Sequence, residues 1–202
     1  MSILESGKKI VERVTGWQRP APSELGELVR LRKANTFWFK EDGVIPNHPH
    51  WPLIVYRGAV KFTEVFDPAA VFEELYKTNG WGKSWRNGIY DYVHYHSSIH
   101  EVLGIARGSG EVRFGGRRGR RLSLKAGDVA ILPAGTGHQS LGASDDFLVV
   151  GAYPPEGAYD ECTDAEEHSR AVKSLPAVPK PKKDPVYGSG GPLAAAWQSF
   201  VV

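Results

Sequence analysis

The chain has 202 residues, 41% of them hydrophobic and 11% aromatic, and at roughly 150 residues per domain that is one domain with decoration and a core of its own. Lys and Arg (25) nearly balance Asp and Glu (23), so net charge gives no reason to expect nucleic acid or an acidic membrane as partner. No apolar run approaches the roughly 18 residues that cross a bilayer, and the single cysteine, Cys162, excludes an internal disulfide or a cysteine-rich zinc cluster.

In chain order, MSILESGKKIVERV carries charges where a signal peptide would be apolar, which predicts a cytoplasmic protein. Residues 3–14 have a weak helical spacing inside an N-terminal extension, 1–34. Residues 35–40 (NTFWFK) and 53–60 read as strands on either side of the turn-rich EDGVIPNHPHWP. DPAAVFEELYKTNG predicts a helix over 67–79: Asp67 caps, Pro68 suits the first helical position, and Val71, Phe72, Leu75 and Tyr76 lie on one face. From 89 to 153, strands and Gly- or Pro-containing turns alternate about every ten residues, which is the pattern of an antiparallel sandwich or barrel. The fold class is therefore all-β, with its core over 35–153. Beyond Tyr153 come an acidic loop (160–167) and SLPAVPKPKKDPVYGSGGP, too rich in Pro and Gly for regular structure. The expectation is an extended tail, 154–202, packed on the domain, with its apolar end PLAAAWQSFVV docked as a last strand or short helix.

Four of the seven histidines, His94, His96, His100 and His138, fall in or beside two Gly-bounded segments. In a strand His94 and His96 point to one side about 7 Å apart, close enough to share an ion. An H-x-H pair alone is equally compatible with two hydrogen-bonded strand histidines. The wider order is more specific: Gly88, five residues, His94, one, His96, four, Glu101, six, Gly108; then Gly127, five, Pro133, one, Gly135, two, His138.

These paired segments resemble the two motifs of the cupin superfamily, fitting at every position except Gly142, where that pattern commonly has Asn. More loosely, WRNGIYDYVHYHSSIHEVLG, AGDVAILPAGTGH, VVGAYPP and DPVYG resemble a poorly characterised group of single-domain bacterial cupins. The resemblance implies a jelly-roll β-barrel with a few peripheral helices. It also implies one divalent metal ion per chain (iron, manganese, nickel, cobalt or zinc), with His94, His96, Glu101 and His138 as ligands. Residue parity adds a condition, because 94 and 96 are even and 101 is odd. The chain must kink between them, and Ser97-Ser98 is suited to that. Glu101, Leu103 and Ile105 then share a face and His100 points outward, with a hydrogen bond to the metal shell as its fallback role. A straight strand would put His100 in place of Glu101, and the resemblance selects Glu101.

Four protein ligands leave an octahedral ion two open positions, which favours an enzyme acting on a small polar organic molecule, a dioxygenase-type oxidoreductase first. The alternatives are a Lewis-acid isomerase or lyase and a non-catalytic binding or sensing protein. Tyr90 and Tyr92 share the parity of His94, so they line the substrate pocket or are core aromatics with satisfied hydroxyls. Leu103 and Ile105 form its apolar wall. By analogy with the fold a homodimer is expected. His48 and His50 read as a surface or rim feature, GGRRGRR (115–121) as a solvated hairpin turn, and Cys162 as unreactive in its acidic setting.

Overall fold

Alternation along the strands decides how the layers form. The computed structural model describes residues 16–198, so the helix expected over 3–14 lies outside the described residues. The strands are β1 (Asn35–Phe37), β2 (Leu53–Tyr56), β3 (Gly82–Asn87), β4 (Glu101–Arg107), β5 (Ser109–Phe114), β6 (Arg120–Lys125), β7 (Val129–Leu132), β8 (His138–Ala143) and β9 (Leu148–Tyr153). They make a six-stranded sheet in the order β1-β2-β7-β4-β9-β3 and a three-stranded sheet in the order β6-β5-β8, with every pairing antiparallel. This is a two-sheet antiparallel architecture of the jelly-roll kind.

The central strands of the larger sheet, β2, β7 and β4, are buried on both faces. Leu53 and Val55 of β2, Leu103 and Ile105 of β4 and Ala130 and Leu132 of β7 meet Val112, Phe114, Leu122 and Leu124 of the small sheet between the layers. Their chain neighbours Ile54, Tyr56, Val102, Ala106, Val129 and Ile131 face the other way, onto a second cluster with Phe72, Tyr76 and Trp197. That second face explains why these strands read as continuous apolar runs rather than alternating ones.

The outer cluster is covered by helix and tail. The short α1 (Leu25–Leu28) buries both its leucines, and α2 (Pro68–Thr78) starts at Asp67, whose side chain accepts the Ala69 N–H at 3.1 Å. The helix rests on β4 at Gly104, where a Cβ would come within 2.3 Å of Tyr76 Oη and 2.7 Å of the Phe72 ring. Only glycine permits that approach.

The tail carries more regular structure than its composition suggests. The acidic stretch is a loop only as far as Asp164, which caps α3 (Ala165–Ser174) by accepting the N–H groups of Glu166 and Glu167, both at 2.9 Å. A further short helix, α4 (Leu193–Ala196), leads to the buried Trp197. Asp184 locks the segment between them, accepting from Tyr56 Oη at 2.5 Å and from the N–H groups of Val186 (2.8 Å) and Leu193 (3.2 Å). Among the described residues no helix is long and apolar enough to cross a membrane.

The run of strands begins earlier than the sequence pattern indicates, at β3. Residues 88–100, expected as a strand through His94 and His96, form only isolated bridges, His94 to His138 and Tyr95 to Cys162. Gly88 and the Ser97-Ser98 bend cut the segment too short for a continuous ladder.

Candidate metal centre

His94 and His138 face each other across the bridge that extends the small sheet: the His94 N–H donates to His138 O at 3.2 Å and the His138 N–H to His94 O at 2.9 Å. The His96 carbonyl is fixed in turn by the Gly135 N–H at 2.7 Å. After His96 the chain bends at Ser97-Ser98, where the Asp160 carboxylate accepts the N–H groups of Ser97 (2.9 Å) and Ser98 (3.2 Å). This bend resets the parity, and Glu101 enters β4 on the inner face beside Leu103.

The result is a convergent donor set. Ligating atoms of His94, His96 and His138 all lie within 4.8 Å of one another, and all three residues are buried. Glu101 Oε2 stands 3.4 Å from His96 Nε2 and 3.4 Å from His138 Nε2. It is buried and has no hydrogen-bond partner, an arrangement that costs free energy unless something else satisfies it.

The other ring nitrogen of each histidine explains the convergence. His94 Nδ1 faces Tyr92 O at 3.4 Å, His138 Nδ1 faces Thr136 O at 3.2 Å, and His96 Nδ1 bonds Asp160 O. A carbonyl only accepts, so each Nδ1 carries the proton and each Nε2 keeps a lone pair when the ring is neutral. Three neutral imidazoles and a carboxylate, each held from behind, make the donor chemistry of a divalent transition-metal site.

Charges in the site are strongly coupled. Burial pushes His138 down to about 3, and the neighbouring His94 adds to it. His94 is likewise lowered, by burial and by His96. Burial works against a proton on His96 too, but the Glu101 carboxylate beside it prevails and raises the ring to about 9. Glu101 would be raised by burial, yet His96, His138 and the Tyr153 hydroxyl hold it below the usual carboxylate range.

A cavity of about 300 Å³ opens in front of these groups. Tyr90 and Leu103 line it, as do Trp85, Tyr153 and Tyr159. Tyr92 does not: its ring stacks on Tyr90 at 4.9 Å and its hydroxyl donates to Glu161 at 2.9 Å. Neither tyrosine is a core residue, with Tyr90 43% and Tyr92 42% exposed. Ile105 lies deeper, in the core between the sheets. His100, expected to point outward, is fully buried on the opposite side of β4, against Trp51 and Trp197. Its Nδ1 accepts the Ala134 N–H at 2.9 Å and its Nε2 faces Pro179 O at 3.2 Å, so no ring nitrogen is left for a metal ligand. His48, expected at the surface, is buried and stacked on Trp51 at 4.3 Å.

Trp85, Tyr153, Tyr159 and Asp160 escaped the sequence reading. The β4–β9 register pairs Val102 with Ala152, and one further step sets Tyr153 opposite Glu101, so parity along VVGAY was a usable signal. The Tyr153 hydroxyl helps to hold the Glu101 carboxylate below its usual range and accepts from Trp85 Nε1–H at 2.9 Å. Tyr159 and Asp160 arrive from the tail, where no periodicity marks them. Cys162 is buried, and burial and Asp160 push its thiol up to about 11, far from a nucleophile's range.

The chain is 40% identical over 167 residues to the uncharacterized protein YjlB of Bacillus subtilis (strain 168), a match covering 82% of this chain and 98% of that one. It belongs to the YjlB family. Within that family the present structure supplies a two-sheet, all-antiparallel β fold with a buried histidine triad that could hold a metal ion. No protein-family model matches the chain. Among solved structures it is similar to the WlaRB TDP-quinovose 3,4-ketoisomerase of Campylobacter jejuni, with a TM-score of 0.37 and 14% identity over 44% of this chain and 74% of that one. It is also similar to an uncharacterized double-stranded β-helix protein of Klebsiella pneumoniae, with a TM-score of 0.33 and 16% identity over 69% and 93%. A third is the oxalate decarboxylase of Lactobacillus farciminis, with a TM-score of 0.30 and 16% identity over 55% and 25%.

Proposed function

We propose that this member of the YjlB family is a metal-dependent enzyme acting on a small polar organic molecule, an oxidoreductase of dioxygenase type in the first instance. His94, His96, Glu101 and His138 would hold one divalent ion, with iron, manganese, nickel, cobalt and zinc all compatible with the donors. The observation that carries this reading is Glu101 Oε2, buried without a hydrogen bond, 3.4 Å from two Nε2 atoms and open to a cavity. A structural ion needs no such access.

The ion would supply Lewis-acid polarisation or, where it is redox-active, electrons for dioxygen chemistry. The chain's own residues do the rest. The carbonyls of Tyr92, Asp160 and Thr136 fix the histidine tautomers. Tyr153 orients Glu101 from the pocket side, and the aromatic walls keep bulk water from the reacting end of the substrate. The second reading, a Lewis-acid isomerase or lyase, rests on the same donors, since none of them requires a redox metal.

Elemental analysis of protein purified without chelating resin, followed by oxygen-uptake screens with small diols and phenols, tests both readings. Near-stoichiometric iron with substrate-dependent oxygen consumption supports the oxidoreductase. Equal turnover by the zinc form supports Lewis-acid chemistry, and metal-dependent binding without turnover by any form makes the protein a sensor or binding module. We also propose a homodimer formed at a free edge of the large sheet, β1 or β3, to be checked by mass in solution.

A further inference from the structure

The shape and charge of the cavity say more about its ligand than the metal donors do. A dry cavity of 150 Å³ holds benzene, so about 300 Å³ accommodates one substituted ring. The walls are flat. The Trp85 indole lies across β9 at Gly151, where a Cβ would come within 2.1 Å of the ring. Tyr159 packs edge-on against Tyr153 at 5.5 Å, and Tyr90 stands edge-on to His94 at 5.1 Å.

The walls also lack a usable positive charge. Among the described residues, and apart from the histidines, Arg86 is the only basic residue lining the cavity, and its guanidinium is paired with two carboxylates. Nε and Nη2 bind Glu73 at 2.8 and 3.0 Å, and Nη1 binds Asp67 at 2.7 Å. At the rim the Glu161 carboxylate is gripped by the hydroxyls of Tyr92 (2.9 Å) and Tyr159 (3.1 Å). Ring faces are electron-rich, and an anionic substituent entering between them would lose its hydration without meeting a partner.

We infer that the pocket takes an uncharged, flat, single-ring compound with two adjacent oxygen substituents, and rejects the same compound when it carries a carboxylate. This rests on the metal centre proposed above: the two oxygens approach the four donors while the ring lies between Trp85, Tyr90 and Tyr159. Selection against the anion comes from the walls, because the charge of Arg86 is already matched by the Asp67 and Glu73 carboxylates.

The test is calorimetric titration of the zinc-loaded protein, its zinc content measured on the same sample, with catechol and with 3,4-dihydroxybenzoate at pH 7. Zinc is redox-inert, so no dioxygen chemistry accompanies the titration, and recovery of unchanged catechol afterwards shows that the heat reports binding. Catechol is expected to bind the loaded and not the metal-free protein, and the carboxylated ring at least about tenfold more weakly. Tyr159→Ala should weaken catechol by up to about tenfold with zinc content unchanged. Equal or tighter binding of 3,4-dihydroxybenzoate, or no catechol binding by fully loaded protein, overturns the inference and leaves the metal centre standing. A chain that takes up no divalent metal overturns the centre and the inference with it.

Discussion

Two groups of buried histidines lie on opposite sides of β4, and their difference is one of proton placement rather than of burial. On the inner side His94, His96 and His138 turn Nδ1 to backbone carbonyls and leave Nε2 facing Glu101. On the outer side His100 spends its acceptor nitrogen on the Ala134 N–H, and His48 Nδ1 accepts the N–H groups of His50 (3.2 Å) and Trp51 (3.1 Å). His48 is stacked on Trp51 and His100 packs at a tilt against Trp197, and each neutral ring keeps its proton on Nε2. Burial and clustering are common to both groups. A free lone pair aimed at its neighbours belongs to one, and that is what separates a ligand from a core histidine.

The largest expected effect comes from removing an inner ring. His96→Ala should lower metal affinity on the order of 100-fold or more, beyond the cost of losing an outer-shell partner. Metal content measured by elemental analysis should fall to near zero while the far-ultraviolet circular dichroism stays native. Full occupancy in this variant would break the ligand assignment. The mirror experiment is His100→Ala, which should keep the metal but cost about 2–4 kcal/mol of folding stability in denaturant titrations, through a cavity beneath Trp197 and an unsatisfied Ala134 N–H. If metal content fell instead, the two sides would not be independent.

How far this contrast was legible in the sequence follows from what each part depends on. The spacing of His94, His96, Glu101 and His138 is a local property of two segments, and the structure brings all four together. Ser97-Ser98 is a local signal too, and the parity argument placed Glu101 and Leu103 on one face. His100 failed because its outward direction was equated with solvent. The cover on that face, Trp197 and the Pro179 carbonyl, lies far along the chain in a stretch whose composition shows no packing pattern. His48 was lost to the same tail. The start of the strand run was misplaced because GKSWRN in β3 has little hydrophobic alternation, its pattern being exposed or half-buried throughout. α3 was hidden because an acidic run reads as a loop unless Asp164 is recognised as a cap with Glu167 three residues on.

Acid should expose the outer group next. Burial pushes His48 down to about 4 and His100 down to about 3, against 6.5 when unfolded. Above pH 6.5 both states are neutral and nothing is lost. Below it the unfolded chain takes up protons that the folded one refuses, so stability falls with pH until the folded values are reached. Each histidine contributes up to about 1.4 kcal/mol per pH unit in that window. Guanidinium unfolding of metal-free protein at pH 7, 6 and 5 measures the slope. His100→Asn keeps an acceptor for the Ala134 N–H without titrating, and its slope should be shallower; an unchanged slope would assign the acid lability to the inner histidines, His138 included.

The smallest effect asks whether Glu101 is held by the chain or only by what it binds. Tyr153 reaches it from β9 with a hydroxyl donor, and Trp85 Nε1–H in turn donates to that hydroxyl at 2.9 Å. Burial and the Glu101 charge both push the Tyr153 phenol up, so it stays a donor throughout the neutral range. Tyr153→Phe keeps the ring and the cavity but removes the hydroxyl that stabilises the Glu101 charge. Removing such an outer partner costs about tenfold in metal affinity, near 1.4 kcal/mol, at the low end of its usual range. Competition with a chromophoric chelator reads that change, and thermal unfolding of the metal-free variant should hardly move. An unchanged affinity would mean that His96 and His138 alone position the carboxylate, and the Tyr153 hydroxyl would then be free to address the substrate.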